Sequence, residues 1–260
     1  MASDSAAAPA RAVPLTEDLY WIAECFPLGD GRHEHVSVYL IRTGDHGIIV
    51  DSGSFYHRGS IEAKLKAATA STGVNALILS HSDFPHSGNV DAFRAEWGDF
   101  DIYCSAGEPA VQGLPYAIKC PIGGSREILG RKFSFIDPPL ADRSHTSWIY
   151  DHASRTLFAA DGFGHYHRPG ECEWTSREYE GGIGFADIFA FHRDTIRWLR
   201  YVDPVKFRRK IETMLADYDA AFIAPIHGNP IAAADLDAYI DHLVEAAARI
   251  SRAYRPGQPA

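Results

Sequence analysis

No apolar stretch in this 260-residue chain approaches the ~18 residues a membrane-spanning helix needs, so no membrane span is expected. Basic residues are outnumbered, 25 against 34 acidic, leaving a formal net charge of −9. A nucleic-acid binder needs a basic face to displace counterions, and nothing here supplies one. Cysteine is scarce, with Cys25, Cys104, Cys120 and Cys172 far apart and no CxxC pair. That spacing matches neither a zinc finger nor a thioredoxin, and reduced thiols packed as small hydrophobes in a cytoplasmic protein are expected. The interior has no proline- or glycine-rich linker and no block of like charge. Residues 1–14, rich in Ala and Pro but without an apolar core, read as a loose tail rather than a signal peptide. What remains is an ordinary globular composition, 46% hydrophobic and 23% charged. One domain over residues 15–254, with a short C-terminal tail at 255–260, is the expected organisation.

The first half alternates apolar runs with polar breaks. Leu19–Phe26, Val36–Thr43, Gly47–Val50, Ala76–Leu79 and Asp101–Cys104 read as strands, and Ser60–Ala70 and His86–Trp97 as helices. The second half repeats the theme. Glu127–Ile136, Ser147–Asp151, Thr156–Ala160 and Ala221–Ala224 are strand-like. Ile183–Tyr201, Pro204–Asp217 and Asp235–Arg252 are helical, the last with an apolar stripe at Leu236, Tyr239, Ile240, Leu243 and Ala247. Two β-rich halves with helices outside form a layered α/β architecture.

Three apolar strands end in a metal-ligating residue type. Ala76–Leu79 runs into Ser80-His81-Ser82-Asp83-Phe84-Pro85-His86. His81 and Asp83 project to one side of an extended backbone, and Pro85 can turn His86 toward them. Helix caps and polar strand ends use the same residues, so this segment alone is ambiguous. Asp161 closes Leu157–Ala160, and His227 follows Ala221–Ile226. Three such strand ends together point to a metal site at the rim of a sheet. Imidazole and carboxylate without thiolate suit non-haem iron, manganese or zinc.

At these segments the chain resembles the metallo-β-lactamase superfamily, and within it the oxygen-binding di-iron branch that includes the flavodiiron core. The likeness runs from about Leu19 to Ile231 and rests on SHSDFPHSGN (Ser80–Asn89), FAADGFG (Phe158–Gly164) and APIHG (Ala224–Gly228). Asp83 stands where hydrolases of the superfamily usually carry His, and this acidic residue is what resembles the di-iron branch. The resemblance implies an αββα sandwich in one domain. It also implies His81 and Asp83 on a first iron, His86 and His227 on a second, and Asp161 as a bridge. Pro85 departs from the family, which has a second-metal Asp there. A further first-site ligand falls on His145 or on Asp142. His145 is preferred because it opens a strand over Thr146–Tyr150, with Asp142 as the alternative. His33 and His35 fall where they could touch the ligands or the substrate. Phe84, with Phe55, Tyr56 and Trp148, could wall a small pocket. His165 and His167 could line its mouth or sit as solvated loop residues.

The function these residues imply is a metal-dependent oxidoreductase that binds or activates O2, or oxidises a small molecule with it. Two iron ions are expected, with manganese or zinc as other fits. No FMN is expected in this chain, so a separate electron-donor protein would serve it. A zinc or manganese hydrolase of an ester, lactone or thioester is the rival enzyme reading. A gas sensor of O2 or NO is the non-enzymatic one. A homodimer is left open.

Overall fold

The computed structural model describes residues 11–69, 72–105 and 113–254. Of the tails expected at 1–14 and 255–260, residues 1–10 and 255–260 lie outside them, and Val13–Pro14 is a strand. Val13 and Pro14 form β1 (Val13–Pro14) and pair with Trp21 and Tyr20, an edge position where proline costs no ladder bond. There follow β2 (Leu19–Ile22), the hairpin of β3 (Cys25–Pro27) and β4 (His33–His35), then β5 (Val38–Thr43) and β6 (His46–Val50). Helix α1 (Arg58–Thr69) leads to β7 (Ala76–Leu79), and α2 (Phe84–Ser87) with α3 (Val90–Trp97) to β8 (Asp101–Cys104) and β9 (Ile118–Lys119). All but the small hairpin join one seven-stranded sheet, ordered β1-β2-β5-β6-β7-β8-β9.

The second half supplies β10 (Ser125–Ile128), β11 (Arg131–Ile136), β12 (Trp148–Asp151) and β13 (Thr156–Phe158). Helices α4 (Phe185–Thr195) and α5 (Pro204–Ala216), β14 (Phe222–Ala224), β15 (Ile231–Ala232) and α6 (Leu236–Ala253) complete it. Its sheet runs β10 to β15 in order, parallel only where Thr156–Phe158 meets Phe222–Ala224. Helix α5 starts where its sequence says it should: Pro204 takes the first turn and the Asp203 carboxylate accepts from the Val205 and Lys206 amides.

Strand alternation sorts the apolar side chains into three layers. Trp21, Tyr39, Val50 and Ile78 meet Phe133, Phe135, Ile149 and Phe158 between the sheets. On the outer face of the first sheet, Leu40, Ile49 and Leu77 pack on Ile61, Leu65 and Phe93. On that of the second, Trp148, Tyr150 and Ile223 pack on Ile188, Ile211, Leu243 and Ala247. The result is an αββα sandwich in one domain. Parallel strands β6, β7, β13 and β14 send their C-terminal ends to a common edge, and that edge carries the site.

Several elements differ from the sequence reading at their boundaries. The Leu19–Phe26 run breaks at Ala23 and Glu24. Glu127–Ile136 is a hairpin, turned by Leu129 and Gly130 with φ of 48° and 77°. The His86–Trp97 helix is interrupted at Gly88 and Asn89, where the Asn89 side chain donates to the Ser52 and Ser54 carbonyls instead. The fourth helix stops at Thr195, since Ile196 leaves helical geometry.

At the end opposite the site, Arg131 joins the sheets. It is paired with Asp151 across β11 and β12 and with Asp18 just before β2. Asp151 is fully buried and also accepts from the Ala153 and Ser154 amides. Removing one partner of such a pair strands a buried charge. Asp151→Ala should therefore cost about 3–5 kcal/mol in urea unfolding; a loss below ~1 kcal/mol would show that Asp18 alone satisfies Arg131.

Candidate metal centre

Four buried side chains converge where the strands end. His81 and His86 follow β7, Asp161 follows β13 and His227 follows β14. Asp161 Oδ1 lies 2.9 Å from His86 Nε2, 3.7 Å from His227 Nε2 and 3.9 Å from His81 Nε2. Among the described residues, Asp161 Oδ1, His81 Nε2, His86 Nε2 and His145 Nε2 are buried polar atoms without a well-formed hydrogen bond. Unsatisfied donors and acceptors are costly, and those of Asp161, His81 and His86 face one another as a bound cation would require. The donor atoms of His81, His86 and Asp161 lie within 4.8 Å of one another, and so do those of His81, Asp83 and Asp142.

The backbone builds this arrangement locally. Asp83 precedes the short helix α2, and Pro85 in its first turn rotates His86 inward. Ala160 and Phe163, on either side of Asp161-Gly162, take left-handed φ of 47° and 60°. Such backbone is strained for residues with a Cβ and clusters at functional sites. Gly162 cannot carry a side chain, since a Cβ would meet Trp148 at 2.5 Å.

Two of the three imidazoles are oriented by a partner on the far nitrogen. His86 Nδ1 faces Asp51 Oδ2 at 2.9 Å. His227 Nδ1 donates to the His35 carbonyl at 2.8 Å and lies 3.1 Å from Glu34 Oε1. A carbonyl only accepts, so His227 carries its proton on Nδ1 and offers Nε2 to the cavity. Asp51, at the end of β6 with a left-handed φ of 57°, also accepts from the Ser80 amide and hydroxyl at 2.8 Å each.

Charge is balanced inside the cluster. Burial opposes the carboxylate of Asp161, yet His227, His86 and His81 hold it well below the usual range. Burial likewise opposes the imidazolium of His86, yet Asp51 and Asp161 push it up to about 10. Burial, then His86, lowers His81 far below its ordinary value. Burial beside Asp161 raises Asp142. A metal ion entering here displaces the His86 proton, so its affinity rises with pH.

Asp142 and His145 both reach the rim. Asp142 Oδ2 is 3.8 Å from His81 Nε2, with Thr146 Oγ1 donating to its other oxygen at 2.9 Å. His145 Nε2 is 3.9 Å from Asp83 Oδ1. The strand expected to begin beside His145 begins at Trp148, so His145 sits in a turn and the register argument for preferring it falls. Asp83 is gripped by Arg143 Nε at 2.7 Å.

The remaining candidates lie elsewhere. Phe84 is exposed and packs edge-on against Phe55, away from the cavity wall. His165 is buried behind His227, bonding Asn229 and donating its amide to the His227 carbonyl at 2.8 Å. His35 acts on His227 through its backbone. His33 and His167 meet Cys25 and Cys172 rather than the cavity. Neither His165 nor His167 is a solvated loop residue, since both are fully buried. Sequence reasoning missed Asp51, Glu34 and Arg143. For Asp51 the signal was present, because it too is an acid at the end of an apolar strand.

The cavity has a volume of about 270 Å³ and is lined mainly by polar side chains. A family profile described as the metallo-beta-lactamase superfamily matches residues 31–207. No curated protein sequence matches significantly. Among solved structures, a point mutant of the flavo di-iron protein from Thermotoga maritima superposes with a TM-score of 0.75 at 19% identity, over 91% of this chain and 61% of that one. Rubredoxin oxygen:oxidoreductase from Desulfovibrio gigas gives 0.72 at 16%, over 92% and 62%. A fragment (residues 1–254) of a diflavin flavoprotein from Nostoc sp. PCC 7120 gives 0.64 at 14%, over 93% and 98%. The chain thus spans about three-fifths of the first two. At these identities the likeness is one of fold.

Asp51 tests the geometry without altering any donor in the cavity. Asp51→Ala should lower the affinity for added Fe²⁺ or Mn²⁺ about 10–100-fold in a competition titration. Unchanged affinity would mean that His86 needs no orienting carboxylate.

Proposed function

Because the chain belongs to the metallo-beta-lactamase superfamily, we propose that its buried His/Asp constellation holds two iron ions and that the protein is an oxidoreductase that binds or activates O2. The observation that carries this reading is Asp161 Oδ1, a buried carboxylate oxygen facing three imidazoles, two from the end of β7 and one from the end of β14. In this reading His81 and Asp83, with Asp142 or His145, hold the first ion, and Asp161 serves both. The second ion has His86, His227 and Asp161, since Pro85 takes the place of a further carboxylate. Two imidazoles and one carboxylate with open positions suit O2-using Fe(II), and iron there would supply the electrons and the vacant coordination that O2 requires.

The protein's own groups prepare the site. Asp51 and the His35 carbonyl fix the tautomers of His86 and His227, so each Nε2 points inward. Arg143 restrains Asp83 at the mouth and offsets the surplus of carboxylates there. The small polar cavity suits O2 or the tip of a small substrate. The Desulfovibrio gigas neighbour is named for rubredoxin as well as oxygen, and a separate electron-donor protein is proposed for this chain too.

Protein purified without air and then exposed to it provides the test. About two iron ions per chain and an oxygen-dependent absorption band are expected, and Asp161→Ala should lose both. Zinc at the cavity with no spectral change would overturn the proposal in favour of hydrolysis of an ester, lactone or thioester. The second ion should also leave first on chelation, and Pro85→Asp should retain it longer by adding a charged oxygen donor. Simultaneous loss of both ions in the parent, or no effect of the substitution, would count against the assigned ligand sets.

A further inference from the structure

A second set of donors lies behind the cavity, on the far side of β4. Cys25 is on β3, His33 on β4, and His167 on a segment bridged to His33 by amide–carbonyl bonds of 2.7 and 3.1 Å. Cys172 comes from the loop after Gly170, whose φ of +95° turns the chain back toward the hairpin. Cys25 Sγ and Cys172 Sγ are 3.1 Å apart, and His33 Nδ1 is 3.4 Å from each sulfur. His167 Nε2 is 3.3 Å from Cys172 Sγ. All four donor atoms lie within 4.8 Å of one another.

The geometry points to a tetrahedral Cys2His2 zinc site, formed by Cys25, His33, His167 and Cys172 and separate from the His/Asp cavity. Bonds of about 2.3 Å to sulfur and about 2.0–2.1 Å to nitrogen give ligand–ligand edges of about 3.4–3.8 Å around Zn²⁺. The two His33–sulfur separations of 3.4 Å sit at the lower end of that range and the His167–Cys172 separation of 3.3 Å just below it, while the sulfurs, 3.1 Å apart, must spread to seat the ion. Thiolate with imidazole in tetrahedral S2N2 arrangement selects zinc or an iron–sulfur centre. A two-iron cluster with this donor set would place its histidines on one iron and its cysteines on the other. Here one His33 nitrogen touches both sulfurs, so the site is sized for a single ion. Four protein donors leave no open position, the mark of a structural rather than a catalytic zinc.

The surroundings hold these donors in place. The His35 ring stacks on His167 with centroids 3.8 Å apart and an interplanar angle of 21°. His35 Nε2–H donates to the Cys172 carbonyl at 2.9 Å. One strand therefore serves two sites: His33 would ligate zinc, while Glu34 and the His35 carbonyl contact His227 Nδ1. Zinc would thus pin the strand that orients His227.

Cobalt(II) is the probe that separates this site from the cavity, which has no sulfur donor. Metal-free protein prepared under reducing conditions should take up cobalt with a near-ultraviolet thiolate band and tetrahedral visible bands, both displaced by about one zinc per chain. The bands should persist in Asp161→Ala, while in Cys172→Ser the thiolate band should weaken, since Cys25 alone remains to supply it. Should Cys172→Ser not fold, the band in the parent and in Asp161→Ala decides the matter. No thiolate band, its survival at undiminished strength in Cys172→Ser, or a Cys25–Cys172 disulfide in the reduced preparation (an intact mass two hydrogens lighter) would overturn the assignment. Failure of the cavity to hold iron would leave this readout unchanged.

Discussion

The carboxylate of Asp161 carries a negative charge where burial disfavours it, and the rest of the site is arranged around that fact. Three imidazoles from two strand ends face it, and the two nearest, on His86 and His227, are themselves held from behind by Asp51, Glu34 and a backbone carbonyl. An isolated carboxylate in a low-dielectric interior would protonate instead. Charge compensation therefore sets which residues surround it, and the sandwich sets where they come from. The two sheets must meet face to face for the strand ends of both to share one edge.

Much of this was legible in the chain because the signals are local. A short apolar run that stops at His or Asp marks a strand tip, and His81, Asp161 and His227 each occur in that setting. The layered architecture follows from alternating strand and helix patterns. Boundaries were less legible where tertiary contacts overrule local pattern. Asn89 breaks the helix to bond two carbonyls of another loop, and Leu129 adopts a left-handed φ that no propensity for leucine suggests. Local pattern puts His145 at the head of a strand that in fact begins three residues later, so both it and Asp142 stand at the rim. Cys25 and Cys172 carry no spacing signal at all. They are separated by 147 residues and meet only because β3 folds onto the loop that follows His167. Cys104 and Cys120, by contrast, are the buried small hydrophobes expected.

The two donor sets are chemically sorted. Oxygen and nitrogen donors line the cavity, while both sulfurs gather behind β4. That separation follows ligand softness, which directs borderline and soft ions to thiolate and harder ones to carboxylate. Strand β4 is the partition, with His33 on the sulfur side and Glu34 reaching His227 on the other.

The pairing of β13 with β14 bears on when this protein becomes competent. Thr156 and Phe222 are adjacent in the sheet but far apart in the chain, and His227 reaches back 192 residues to its carbonyl partner on His35. Such distant closures form late, after local hairpins and helices. During synthesis, most of the donors emerge well before His227, so early metal capture would be incomplete and exchangeable. Retention of an ion at the proposed site would therefore wait on the β13–β14 pairing that brings His227 to the cavity.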